Sequence, residues 1–89
     1  MKRIPIEDSF DLHSFSPRQV VPAAADYLDA AREKGLREVR LIHGKGTGAQ
    51  RAGIRRMLAA RTDVLAFSDA TPDRGGYGAT LVRLRPPGS

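Results

Sequence analysis

Two short runs hold most of the reactive side chains in this 89-residue chain. Asp11 and His13 stand two apart in Phe10-Asp11-Leu12-His13, and His43 opens the run Gly44-Lys45-Gly46-Thr47-Gly48. Glycines let a backbone approach a ligand closely, and a loop feeding a helix N-terminus presents amides and a positive dipole end, so the second run suits an anion. Lys45 adds a formal charge there. Arg51 and Arg55, one helical turn apart, extend the track along a phosphate backbone. Imidazoles are the usual proton-transfer groups at neutral pH. The two histidines therefore suit an acid–base pair, with Asp11 orienting one ring or holding a divalent cation (Mg or Mn). No cofactor is required: a two-metal site wants several carboxylates, and only Asp11 is well placed. The loop matches neither GxxxxGK[ST] nor GxGxxG. Its competing reading is a tight connector flanked by structural histidines.

The surrounding elements converge on one sheet edge. Ser9 to His13 reads as a strand whose parity puts Asp11 and His13 on one face and Phe10 and Leu12 on the other. Ser16, Pro17 and Gln19 spell a helix cap with a capping box, and Phe15 and Val20 flank it as a hydrophobic staple. Val20, Ala24, Tyr27, Leu28 and Ala31 form the helical stripe, and Gly35 stops it. Pro22, past the first turn, should kink that helix or displace its start. Leu36 to Ile42 reads as a buried strand. Thr47 and Gln50 repeat the capping-box spacing before a second helix starting near Gly48, with Ile54, Met57 and Leu58 facing the core. Val64 to Ser68 is a third strand, Asp69 to Gly76 a polar connection and Ala79 to Leu84 a fourth strand. The order βαβαββ predicts an α/β two-layer sandwich, a mixed four-stranded sheet with two helices. The right-handed crossovers should bring parallel strands together, and the last strand should run antiparallel.

Net charge is +5, but it is unevenly spread. Between Arg32 and Arg61 nine Lys or Arg face only Glu33 and Glu38, a local balance of +7. Such a stripe attracts nucleic-acid backbones by counterion release; a solvated helix face is its plainer reading. With no cysteine, disulfides and thiolate metal sites are excluded. No apolar run approaches the roughly 20 residues that span a bilayer, and the start Met1-Lys2-Arg3-Ile4-Pro5 lacks a signal-peptide core. A soluble, cytoplasmic chain without a membrane partner is expected. Residues 1–8 read as a lead-in, 9–85 as a single domain and 86–89 as a tail.

Phe10–His13 (FDLH), His43–Gly48 (HGKGTG) and Gly75–Val82 (GGYGATLV), in that order and spacing, resemble the small MutS-related (Smr) domain family over about Phe10 to Leu84. The resemblance implies a βαβαββ sandwich similar to the C-terminal domain of bacterial translation initiation factor 3. It implies DNA or RNA as partner, and for several members nicking or endoribonuclease activity. It carries the acidic residue and histidine of the first motif onto Asp11 and His13, and the second motif onto His43, Gly44, Lys45 and Gly46. The third falls on Gly75, Gly76 and Gly78. Ser14 departs from the glycine the family usually has after DLH.

The expected function is therefore a nucleic-acid-binding endonuclease cleaving phosphodiester bonds in RNA or structured DNA. In that reading Lys45 and the loop amides, from Gly44 through Thr47 to Gly48, hold the phosphate, and His13 and His43 move protons. A metal-free histidine pair favours RNA, whose 2′-hydroxyl is an internal nucleophile. Tyr77 can stack on an unpaired base or simply pin its own loop, and Gly75, Gly76 and Gly78 equally serve a bend into the last strand. A non-catalytic DNA- or RNA-binding module satisfies the same charge pattern. A small phosphometabolite site fits less well, because the arginines extend beyond one phosphate.

Overall fold

The computed structural model describes residues 7–46 and 48–87. Strand β1 spans Ser9–Asp11, helix α1 Pro17–Glu33, β2 Glu38–Ile42, helix α2 Ala49–Ala60, β3 Val64–Asp69 and β4 Ala79–Leu84. Between β3 and β4, Pro72–Arg74 forms a single 3₁₀ turn inside the expected Asp69–Gly76 connection, and Gly76–Gly78 forms a second just past its end. The architecture is the expected one, an α/β fold with a mixed four-stranded sheet and two helices.

Local signals account for the ends of α1. Gln19 Oε1 accepts from the Ser16 amide at 3.4 Å and the Ser16 hydroxyl at 3.1 Å, and Pro17 occupies the first helical position. At the other end Gly35 takes φ 93°, while the Gly35 and Leu36 amides reach back to the Arg32 and Ala31 carbonyls. That is a Schellman stop. Pro22 does not displace the start of the helix, one of its two expected effects: α1 begins at Pro17 and runs through it. Pro22 lies on the exposed side, where the carbonyl deprived of its amide partner is open to water. Helix α2 starts at Ala49 with Gly48 as its cap at φ 87° and without a side-chain cap bond, so this end rests on glycine's left-handed freedom. The expected cap at Thr47 lies outside the described residues.

The sheet order is β1-β2-β4-β3, with β1 parallel to β2 and β4 antiparallel to both of its neighbours. The expectation that each crossover joins adjacent parallel strands holds for β1 and β2 only. The crossover through α2 skips one place, and β4 fills it. The centre goes to the strand with most to bury: Thr80, Val82 and Leu84 are fully buried. Strand β3, with a register shift between Val64 and Ala66 and an exposed Leu65, takes the edge. Both helices cover one face, around Val20, Leu28, Leu41, Ile54, Leu58 and Val82, and the opposite face stays open. Phe10 and Phe15 pack on this core, Phe10 stacked on Tyr27 with centroids 4.6 Å apart, and Met57 also fills it.

Candidate functional site

The three motifs meet at one edge of the sheet. Strands β1 and β2 run side by side with Asp11 opposite Ile42, and the Leu12 amide bonds the Ile42 carbonyl at 2.7 Å. The Asp11–His13 turn and the His43–Gly48 loop therefore leave the sheet as neighbours. Antiparallel β4 begins where β2 ends, and the Gly78 carbonyl accepts from the His43 and Gly44 amides at 3.0 and 2.9 Å. A Cβ on Gly78 would lie 3.4 Å from Lys45 Cγ and 3.5 Å from the Gly44 carbonyl carbon, ordinary van der Waals separations, so the lysine loop lies directly beside the third motif. Gly44, Gly46 and Gly48 all take positive φ. Lys45 is exposed at the tip.

Asp11 and His13 form a pair on the open side. Phe10 packs toward the helices, so strand alternation turns Asp11 to the other face. Asp11 Oδ1 accepts from the His13 amide at 3.0 Å and meets His13 Nδ1 at 2.5 Å. A carboxylate only accepts, so Nδ1 carries a proton toward it and Nε2 is the ring nitrogen left facing away from Asp11. These bonds from the His13 amide and ring hold the Asp11 carboxyl below its usual range. The His13 side chain is 72% exposed.

His43 is placed differently, and the two imidazoles take different partners. Its ring lies on the helix side, 6% exposed, with Nε2 2.9 Å from the Thr80 hydroxyl and Nδ1 2.9 Å from the Gly44 carbonyl. The carbonyl can only accept, so Nδ1 donates to it and Nε2 accepts from Thr80. Both nitrogens are thereby engaged. Burial is the main cause that pushes the His43 pKa below its ordinary value, and the Arg51 and Arg55 charges act the same way against the Gly44 bond and Asp69. The ring is neutral and ties the lysine loop to β4.

Much of the basic stripe is also committed internally. Arg51 holds Asp69 through Nε and Nη2 at 2.8–3.1 Å, and Arg55 reaches the same carboxylate at 2.7 Å. These two guanidiniums, expected along a phosphate track, share one counter-charge and hold the Asp69 carboxyl below its usual range. Arg61 bridges Asp29 and Asp63. Arg32 bonds the Arg85 and Pro86 carbonyls, and Arg40 the Arg74 carbonyl. A count along the chain cannot see partners brought from β3 and α1. Lys45 in the loop and Arg56 on α2 remain exposed.

Thr80 and Asp69 are the site residues that sequence reasoning missed. Thr80 sat in the third motif two places after Gly78, the signal that could have found it; Asp69 had none beyond lying between a strand and a loop. Gly75 and Gly76 form the turn leading to Tyr77, which stands 58% exposed with the Arg51 guanidinium 4.2 Å from its ring centroid. Among the described residues no three His, Asp or Glu side chains cluster to hold a metal ion; Asp11 with His13 offers two donors. Among the same residues no helix is long and apolar enough to cross a membrane.

Comparison with known proteins agrees with the geometry. The family model for the Smr domain matches residues 10–85. Endonuclease MutS2 of Thermus thermophilus is 43% identical over 76 residues, 85% of this chain and 10% of that protein. Endonuclease MutS2 of Caldicellulosiruptor saccharolyticus is 39% identical over 80 residues, 90% of this chain and again 10% of that protein. The chain thus spans about a tenth of the length of these curated relatives. The crystal structure of the Smr domain of Thermus thermophilus MutS2 superposes with a TM-score of 0.85 at 41% identity, covering 90% of this chain and all of that one. The stand-alone small MutS-related protein YdaL of Escherichia coli gives 0.84 at 32% identity, over 91% of this chain and 66% of that one.

Proposed function

The chain belongs to the Smr domain family, and from that membership and the site geometry we propose that it binds nucleic acid and cleaves phosphodiester bonds at the Asp11–His13 pair. The observation that carries this reading is the exposed His13 imidazole, fixed through Nδ1 by Asp11 with Nε2 outward, beside the Lys45 loop. An imidazole so oriented is a general base, and a lysine with glycine-loop amides neutralises charge developing on non-bridging oxygens. The MutS2 relatives are named endonucleases, which supports the same chemistry here.

RNA is the favoured substrate. Nε2 of His13 takes the proton of the 2′-hydroxyl, the 2′-oxygen attacks phosphorus, and the 5′-oxygen leaves with a proton from water. His43, buried with both nitrogens engaged, is a positioning residue for the loop rather than the acid partner expected from its motif. The burial of that second imidazole also favours one competing reading, a nucleic-acid-binding module without cleavage.

One set of incubations separates these. Labelled single-stranded RNA, duplex DNA and branched DNA are incubated with the chain and with His13→Ala, each with and without EDTA. The proposal expects RNA cleavage ending in 2′,3′-cyclic phosphate, unaffected by EDTA, and lost by on the order of 100-fold or more in the variant while binding persists. Binding without cleavage of any substrate selects the module. Cleavage abolished by EDTA rejects the metal-free route.

A further inference from the structure

The geometry points to Tyr77 as a stacking platform for one unpaired nucleobase next to the phosphate loop, an inference that rests on the nucleic-acid reading above and adds a preference for single-stranded substrate. Tyr77 is one of two large apolar side chains standing exposed among the described residues, and the other, Leu65, lies on the edge strand away from the site. The turn does not depend on the ring alone. Backbone bonds from Gly76 to Thr71, from Gly78 to Gly75, and from His43 and Gly44 to Gly78 already hold it.

The platform is built on one side only. The Arg51 guanidinium lies 4.2 Å from the ring centroid, and Arg51 is itself gripped in bidentate fashion by Asp69, which Arg55 also holds. One face of the ring is thus backed by an immobilised cation, while 58% of the residue stays exposed. Every nucleobase has a π-face, so a rigid exposed ring stacks an unpaired base irrespective of sequence. Position ties the platform to the phosphate loop. Gly78, next in the chain, packs against Lys45 and Gly44, and adjacent Cα atoms are about 3.8 Å apart. A phosphate at Lys45 therefore has its own or the neighbouring base within reach of Tyr77. A base paired inside a duplex hides its faces by stacking and cannot use the ring.

The test uses the intact chain with Tyr77→Ala, Tyr77→Leu and Tyr77→Phe. The probes are a short single-stranded oligonucleotide carrying 2-aminopurine and a duplex of the same length, and His13→Ala forms of all proteins prevent turnover. Loss of one base stack should weaken single-strand binding roughly tenfold in the alanine and leucine variants. Duplex binding should change less than about twofold, and Phe should restore both single-strand affinity and the 2-aminopurine quenching. Unchanged single-strand affinity in Tyr77→Ala, or equal losses on both probes, overturns the platform while leaving the nucleic-acid reading intact. Failure of the unsubstituted chain to bind either probe overturns both.

Discussion

His13 and His43 end two neighbouring parallel strands, each in a short motif with a charged neighbour, yet the fold treats them oppositely. The His13 side chain is 72% exposed and bonds Asp11, whereas His43 is 6% exposed with Thr80 on one nitrogen and Gly44 on the other. The difference is one of parity. Asp11 is in register with Ile42 on the open face, so the residue after Ile42 turns to the helix side, while the turn after β1 returns His13 to Asp11. An exposed imidazole with a free nitrogen can serve a substrate. A buried one bonded at both nitrogens has first to give up a bond.

Reciprocal substitutions break this contrast most directly. His13→Ala, the variant with the largest expected loss of cleavage, should keep its melting temperature within about 2 °C, as exposed substitutions do. His43→Ala removes the partners of the Thr80 hydroxyl and the Gly44 carbonyl and opens a cavity. It should cost about 2–4 kcal/mol, lowering the melting temperature by about 10–20 °C in a chain of this size. Similar thermal curves for the two variants would mean that the two histidines do not have separate roles.

A smaller effect sharpens the buried side. Thr80→Val keeps the shape but leaves His43 Nε2 without its donor, and should cost about 1–2 kcal/mol. Thr80→Ser keeps the hydroxyl and loses about one methyl, worth about 0.8 kcal/mol. Urea midpoints should therefore rank the serine variant above the valine one; the reverse order would show the Thr80 methyl, and not its hydroxyl, to matter.

The smallest expected effect is in pH. His43 has its folded pKa lowered, chiefly by burial. Below the unfolded value of about 6.5 the unfolded chain binds the extra proton first, so stability is full above that pH and falls as the pH drops through the window beneath it. The carboxyls of Asp11 and Asp69, held below 3.8, contribute their losses at still lower pH. Melting temperatures between pH 7.5 and 5 should decline for the unsubstituted chain and less for His43→Gln; equal slopes would remove His43 as the source.

Much of the fold was legible because its signals are local. The Ser16-Pro17-Gln19 start, the Gly35 stop and the apolar stripe of α1 depend on residues within a turn of one another, as does the alternation that sets Asp11 apart from Phe10. The third motif was legible as a set of glycines, while its place beside the lysine loop, with Gly78 against Lys45 and Gly44, joins residues some thirty apart in the chain. Arg51 and Arg55 were legible as neighbours on one helix, but their shared counter-charge was not, because Asp69 reaches them only once β3 packs beside α2.

The amino-acid sequence by itself determined the order of elements, the helix start and stop signals, and the grouping of Asp11, His13 and the glycine-lysine loop at strand ends. Those features follow from period-two and period-3.6 patterning and from cap chemistry acting over a few residues. Tertiary structure alone decided that β4 enters between β2 and β3, that His43 turns inward onto Thr80, and that Asp69 neutralises two arginines. Each of these is a contest among distant groups for burial or for a counter-charge, and it is settled only when the whole sheet is assembled.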